Sequence, residues 1–126
     1  MKQRREFLQL SAATLAAASL PSLAQDAYPS KPITMVVPFP PGGVADTVGR
    51  PVAEAMGRAL GQPMIVENKG GAGGGIGMAQ VAKSKADGYS VLMALSSVVV
   101  LPEADKILKR TPLFTLDQLK RATGLS

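Results

Sequence analysis

Apolar and β-branched residues first gather at Ile33-Thr34-Met35-Val36-Val37, a short run that predicts a strand buried on both faces of a sheet. After it the period changes. Val48, Val52, Ala55, Met56, Ala59 and Leu60 recur at helical spacing and predict a helix with that stripe inward. Gly61-Gln62-Pro63 ends it, because glycine suits the position past a helix end and proline cannot continue one. Met64-Ile65-Val66-Glu67 predicts a second strand, and residues 76–85 a helix with Ile76, Ala79, Val81 and Ala82 inside. Asp87-Gly88 turns the chain into a third strand over residues 89–95. Strands alternating with helices at this spacing predict right-handed β-α-β units, a parallel sheet and an α/β fold. Further on, Thr115-x-x-Gln118 has the form of a capping box opening another helix.

Pro51 conflicts with this pattern, since an interior proline costs about 3 kcal/mol relative to alanine. The first helix is therefore expected to kink, or to begin nearer Pro51 than Asp46.

Between the first strand and that helix lies Val37-Pro38-Phe39-Pro40-Pro41-Gly42-Gly43-Val44-Ala45-Asp46, at the carboxyl end of a parallel-type strand, where open α/β sheets place their ligands. The prolines carry no N–H and fix φ, so main-chain donors are expected to arrive together at Gly42, Gly43, Val44 and Ala45. With a helix start just beyond, such donors favour a carboxylate or a phosphate. A rigid connector with Asp46 as an ordinary N-cap fits the same residues, and from local sequence both readings stay open.

The cluster Gly70-Gly71-Ala72-Gly73-Gly74-Gly75-Ile76-Gly77 also follows a strand and opens a helix. Its spacing fails the dinucleotide fingerprint, because Ile76 stands where G-x-G-x-x-G requires glycine, and no Lys-Ser or Lys-Thr follows to make a P-loop. A tight turn with close backbone packing is the better account, and the cluster could still wall a pocket. Ser96 and Ser97, at the end of the third strand, fall on the same sheet edge as the first loop if the strands are parallel. Their hydroxyls fit either a carboxylate or a helix cap.

The amino-terminal end changes the picture of where the chain works. Residues 1–9 form a basic n-region and residues 8–23 an Ala- and Leu-rich stretch ending in Ser22-Leu23-Ala24, which predicts a signal peptide over residues 1–24. The stretch falls short of the about 20 residues of a spanning helix. Arg4-Arg5 with Phe7-Leu8 resembles the twin-arginine export pattern. Residues 1–24 hold three of the 14 basic and one of the nine acidic residues, so the remainder carries 11 and eight, a net charge of +3. Those charges are interspersed and aromatics are few, which argues against nucleic-acid binding. With no histidine and no cysteine, the Ser-His and Cys-His nucleophilic systems and the common zinc sites are excluded within this chain. The carboxylates are scattered singly, apart from Glu103 and Asp105 on a solvated face. Binding is favoured over catalysis, and no cofactor is expected.

Taken in order, Tyr28-Pro29-Ser30-Lys31-Pro32-Ile33, Val36-Val37-Pro38-Phe39-Pro40-Pro41-Gly42-Gly43 with Asp46, Leu60-Gly61-Gln62-Pro63, Val66-Glu67-Asn68, Gly71-Ala72-Gly73-Gly74 and Asp87-Gly88-Tyr89 resemble the Bug family. These are the periplasmic substrate-binding proteins of tripartite tricarboxylate transporters. The resemblance runs from about Tyr28 to Leu119. It implies a type II periplasmic-binding-protein fold whose two lobes close on a small organic carboxylate or acidic amino acid, acting as a monomer with the transporter's membrane subunits. It further implies ligand contacts from Phe39, Pro40, Gly42 and Gly43, and from Ala72, Gly73, Ser96 and Ser97. Asp46 matches a family position too, where it would cap the helix or meet a ligand ammonium group.

Pro51 and Gly75 depart from the family pattern, members are much longer, and residues 120–126 no longer follow it. The expectation is a truncated or frameshifted product, with residues 25–126 forming about half of one lobe and binding carboxylate poorly for want of an opposing wall. A nucleotide-binding α/β enzyme fragment and a periplasmic sensory or interaction module are the alternatives.

Overall fold

The computed structural model describes residues 27–122, so the predicted signal peptide over residues 1–24 lies outside the described residues. Three strands, β1 (Ile33–Val37), β2 (Met64–Asn68) and β3 (Ser90–Leu92), form a parallel sheet in the order β2-β1-β3. The helices are α1 (Val44–Leu60), α2 (Gly75–Ala82), α3 (Ser97–Ile107) and α4 (Leu116–Ala122), and a 3₁₀ turn at Ala72–Gly74 leads into α2. The α/β, parallel β-α-β architecture is the one the hydrophobic pattern predicts.

The central strand β1 has apolar side chains at four of its five positions, all of them buried, and divides the core in two. On one face Met35 and Val37 pack with Ala45 and Ala53 of α1, joined by Met56, Met64, Val66 and Met93. On the other, Val36 packs with Met78 and Val81 of α2, Phe114, and Leu119 of α4. The half-buried Phe39 touches both clusters, so the first residues of the loop are anchored from either side of the sheet.

α1 corrects two expectations. It begins at Val44 and continues past Pro51 to Leu60, rather than starting near that proline. Its inward face is Ala45, Asp46, Gly49 and Ala53, whereas the predicted stripe points outward, with Val48 48% and Val52 40% exposed. Size explains the inversion. A Cβ built on Gly49 would lie 3.4 Å from Val37 Cγ2 and 3.5 Å from Met93 Cγ, so the helix comes too close to the sheet for β-branched residues on that face. Only Met56 of the predicted stripe packs inward. In α2 the predicted inner face holds at Val81, Ala79 and Ala82, which pack into the core, and fails at Ile76, which is 53% exposed while Gly77 and Met78 are buried. The predicted third strand shortens to Ser90–Leu92, with the Met93 amide making a last bond to Val36 O at 2.9 Å.

Other local readings hold. Gly61 takes the left-handed conformation past α1 at φ 67°. Thr115 and Gln118 cap α4 reciprocally, the Thr115 amide donating to Gln118 Oε1 at 2.9 Å and the Gln118 amide to Thr115 Oγ1 at 3.2 Å. Tyr28, in the segment before β1, is tied to the turn before β3, its hydroxyl donating to Gly88 O at 2.7 Å and its ring meeting Tyr89 edge-on at 5.1 Å.

The glycine cluster is a packing seam. A Cβ on Gly77 would fall 2.8 Å from both Lys69 O and Pro38 Cβ, and one on Gly74 3.2 Å from Pro38 O. Gly70 approaches Pro40 N at 3.3 Å by the same measure. The second loop thus lies directly on the first. Gly77→Ala is expected to lower unfolding free energy by about 1–3 kcal/mol in chemical denaturation, through overpacking against backbone that cannot retreat. An unchanged midpoint would contradict the seam.

Candidate functional site

Because all three strands are parallel, their carboxyl ends share one edge of the sheet. Three connections emerge there: Pro38 to Gly43 after β1, Lys69 to Gly74 after β2, and Met93 to Ser96 after β3. The structure groups the sequence-predicted residues accordingly, with Phe39, Pro40, Gly42, Gly43 and Asp46 on or just after the first, Ala72 and Gly73 on the second, and Ser96 and Ser97 on the third. The first and second touch through Phe39, Pro38 and Gly74. The second meets α3 where Gly73 faces Leu101, at 3.5 Å from a Cβ position to Leu101 Cδ2.

The first loop is not the row of free donors that its sequence suggests. Gly42 N–H donates to Asp46 Oδ2 at 2.8 Å, and Gly43 N–H is directed at Pro40 O over 3.4 Å. Gly43, not Asp46, occupies the N-cap position, and Asp46 is the third helical residue reaching back to the loop. The N–H groups of Val44 and Ala45, in the first turn, have no carbonyl within the helix to bond.

Asp46 is 4% exposed and is held by three donors. Besides Gly42, Arg50 Nε donates to Oδ2 at 3.0 Å and Asn68 Nδ2 to Oδ1 at 2.9 Å. Arg50 Nη2 donates to Asn68 Oδ1 at 3.1 Å, closing the ring. Asn68 Nδ2 also donates to Phe39 O at 3.2 Å. Asn68 lies opposite Val37 in the β1–β2 register, and the Lys69 amide donates to Val37 O at 2.8 Å, so the end of β2 sits beside the start of the loop. The network therefore grips the loop at Phe39 and again at Gly42. Sequence reasoning missed Arg50 and Asn68. Arg50 was findable from its i,i+4 spacing to Asp46, whereas Asn68 needed the strand register.

The Arg50 side chain, with the Gly42 amide and Asn68, lowers the Asp46 carboxyl from 3.8 to about 2. A carboxyl depressed in the folded state contributes stability that is complete above its unfolded pKa and fades as pH falls through the folded one. Acid titration followed by circular dichroism should show the chain losing stability between about pH 4 and pH 2, with a shallower loss in Asp46→Asn. Equal slopes would refute the assignment.

At the third connection Ser96 is exposed and its carbonyl accepts the Val99 and Val100 amides at the start of α3. Ser97 Oγ is buried and bonds to nothing among the described residues. A buried hydroxyl without a partner costs about 1–3 kcal/mol, so it persists where something else requires it. Ser97→Ala is expected to stabilise the ligand-free chain by about 1 kcal/mol in thermal or chemical unfolding, and Ser96→Ala to leave it unchanged. A destabilised Ser97→Ala would show a bond that the geometry lacks.

Residues 48–125 match the family described as the tripartite tricarboxylate transporter family receptor. The chain belongs to this family. The Bug resemblance is borne out as well, since BugT of Bordetella pertussis is 53% identical over 72 residues, 57% of this chain and 22% of BugT. A TctC solute-binding protein from Polaromonas, solved without ligand, is 43% identical with a TM-score of 0.58, over 61% of this chain and 27% of that one. MatC from Rhodopseudomonas palustris, solved with bound malate, is 42% identical with a TM-score of 0.50, over 52% of this chain and 22% of MatC. The chain thus spans less than a third of each of these relatives. The family is described as a transporter receptor and the Polaromonas protein as a solute-binding protein, neither an enzyme, which removes the nucleotide-dependent enzyme as an alternative and agrees with a glycine cluster used for packing.

Proposed function

We propose that residues 25–126 carry one wall of a periplasmic cleft that captures a small carboxylate for a tripartite transporter, exported by the signal peptide over residues 1–24. The convergence on one edge of the loops after all three parallel strands carries this reading, with the exposed Ser96 at the start of α3 among them. A hydroxyl donor beside a helix start is suited to a carboxylate oxygen, and the turn at Ala72–Gly74 brings a second stretch of backbone to the same edge. Membership of a tricarboxylate-transporter receptor family supports the ligand class, and malate in MatC supports a short dicarboxylate.

The chain covers 22% of BugT and 27% of the Polaromonas protein, so on this reading the opposing wall would come from the remainder. One wall leaves a ligand open to water, where its charge is already well solvated, so the chain by itself is expected to bind weakly. Residues 28–119 grafted in place of the corresponding stretch of BugT should give a protein that binds malate or another short dicarboxylate in calorimetry and ignores a neutral sugar. Ser96→Ala in that graft, which removes the exposed hydroxyl of that edge, should weaken binding. A folded graft that takes sugars but no organic acid would overturn the assignment.

A further inference from the structure

Asp46 was expected to cap a helix or to meet a ligand; its carboxylate accepts bonds from three groups of the protein itself. Its carboxylate sits where a bound anion would sit: against a glycine amide at a helix start, an arginine and an asparagine amide. We infer that Gly42 N–H, Arg50 and Asn68 form a carboxylate socket whose occupant is the protein's own Asp46, and that this occupancy sets the first loop before any ligand arrives.

Four observations support this. The donors come from three separate segments, the loop, α1 and the end of β2, and all converge on one side chain. Arg50 and Asn68 also bond each other, so the socket is a closed set rather than a row of surface contacts. The occupant is buried and Arg50 balances its charge, which leaves little net field to repel a ligand carboxylate nearby. Asn68 ties Phe39 O while Asp46 ties Gly42 N, so the two prolines between them are held from both ends. A loop fixed in this way does not spend binding free energy on ordering itself.

One consequence bears on the ligand and rests on the carboxylate reading above. The Gly42 amide is already committed, so the ligand carboxylate is left to other donors on the same edge. Asp46, Arg50 and Asn68 are positioning residues, not ligand contacts.

The test needs no ligand of the transporter and so separates the socket from the proposed function. Amide hydrogen exchange is measured by NMR on the full chain, following Gly42 beside the β1 amides of Ile33 and Thr34, which bond Pro63 O and Tyr89 O. Asp46→Ala empties the socket, and Gly42 exchange should rise roughly tenfold or more while Ile33 and Thr34 keep their protection. Formate, a free carboxylate, should then restore Gly42 protection. It should fail to do so once Arg50→Ala is added. Asp46→Asn keeps the shape and an acceptor for Gly42, so it preserves the fold, loses part of the protection and gains nothing from formate. Unchanged Gly42 exchange in both single variants would overturn the inference. So would formate having no effect on a folded Asp46→Ala chain, or equal loss of protection at Ile33 and Thr34 in both variants.

Discussion

The buried Asp46 carboxylate is the constraint on which the described structure turns. A charge held out of water is tolerated only when paired and fully hydrogen-bonded, and here Arg50, Asn68 and the Gly42 amide meet that need together. Each partner is drawn from a different segment, so satisfying the charge also places the segments. α1 is fastened at its first turn, which helps it to run through Pro51, where a helix bond is lost. The end of β2 is fastened to the end of β1 through Asn68. The proline-glycine loop takes up the geometry that remains.

Glycine plays the complementary part. The second loop can lie against the first only because Gly70, Gly74 and Gly77 have no side chains to keep the backbones apart. Gly74 also adopts φ 98°, which a residue with a Cβ rarely enters. What looks in sequence like a nucleotide loop is a contact surface between two connections of one sheet edge. The same compactness acts under α1, where Ala45, Gly49 and Ala53 let the helix approach Met35 and Val37.

These packing facts explain what was legible in the sequence. β1, β2, the stop at Gly61 and the capping box at Thr115 and Gln118 were readable because each rests on local chemistry or a short unbroken pattern. The buried face of α1 was not. Hydrophobic periodicity assumes that larger apolar residues turn inward, and it fails where close approach selects small ones. Proximity of the three connections followed from the parallel sheet, so the candidate edge was foreseeable as a place. Its inner workings were not, since the bond from Asn68 to Asp46 spans 22 residues and depends on strand register. Ser97 was named beside Ser96 with nothing in sequence to separate them, and only burial distinguishes the one that lacks a partner.

The edge therefore combines a loop fixed by the protein's own carboxylate with a buried hydroxyl that has no partner among the described residues. On the proposed reading, that fixed loop forms part of one side of a carboxylate cleft. The claim at its centre is the bond between Gly42 and Asp46, and it is open to direct observation. A long-range NMR experiment that detects scalar coupling across hydrogen bonds, run on labelled ligand-free chain, should connect the Gly42 amide nitrogen to the Asp46 side-chain carboxyl carbon. A Gly42 amide coupled to another carbonyl, or exchanging freely with water, would contradict the account.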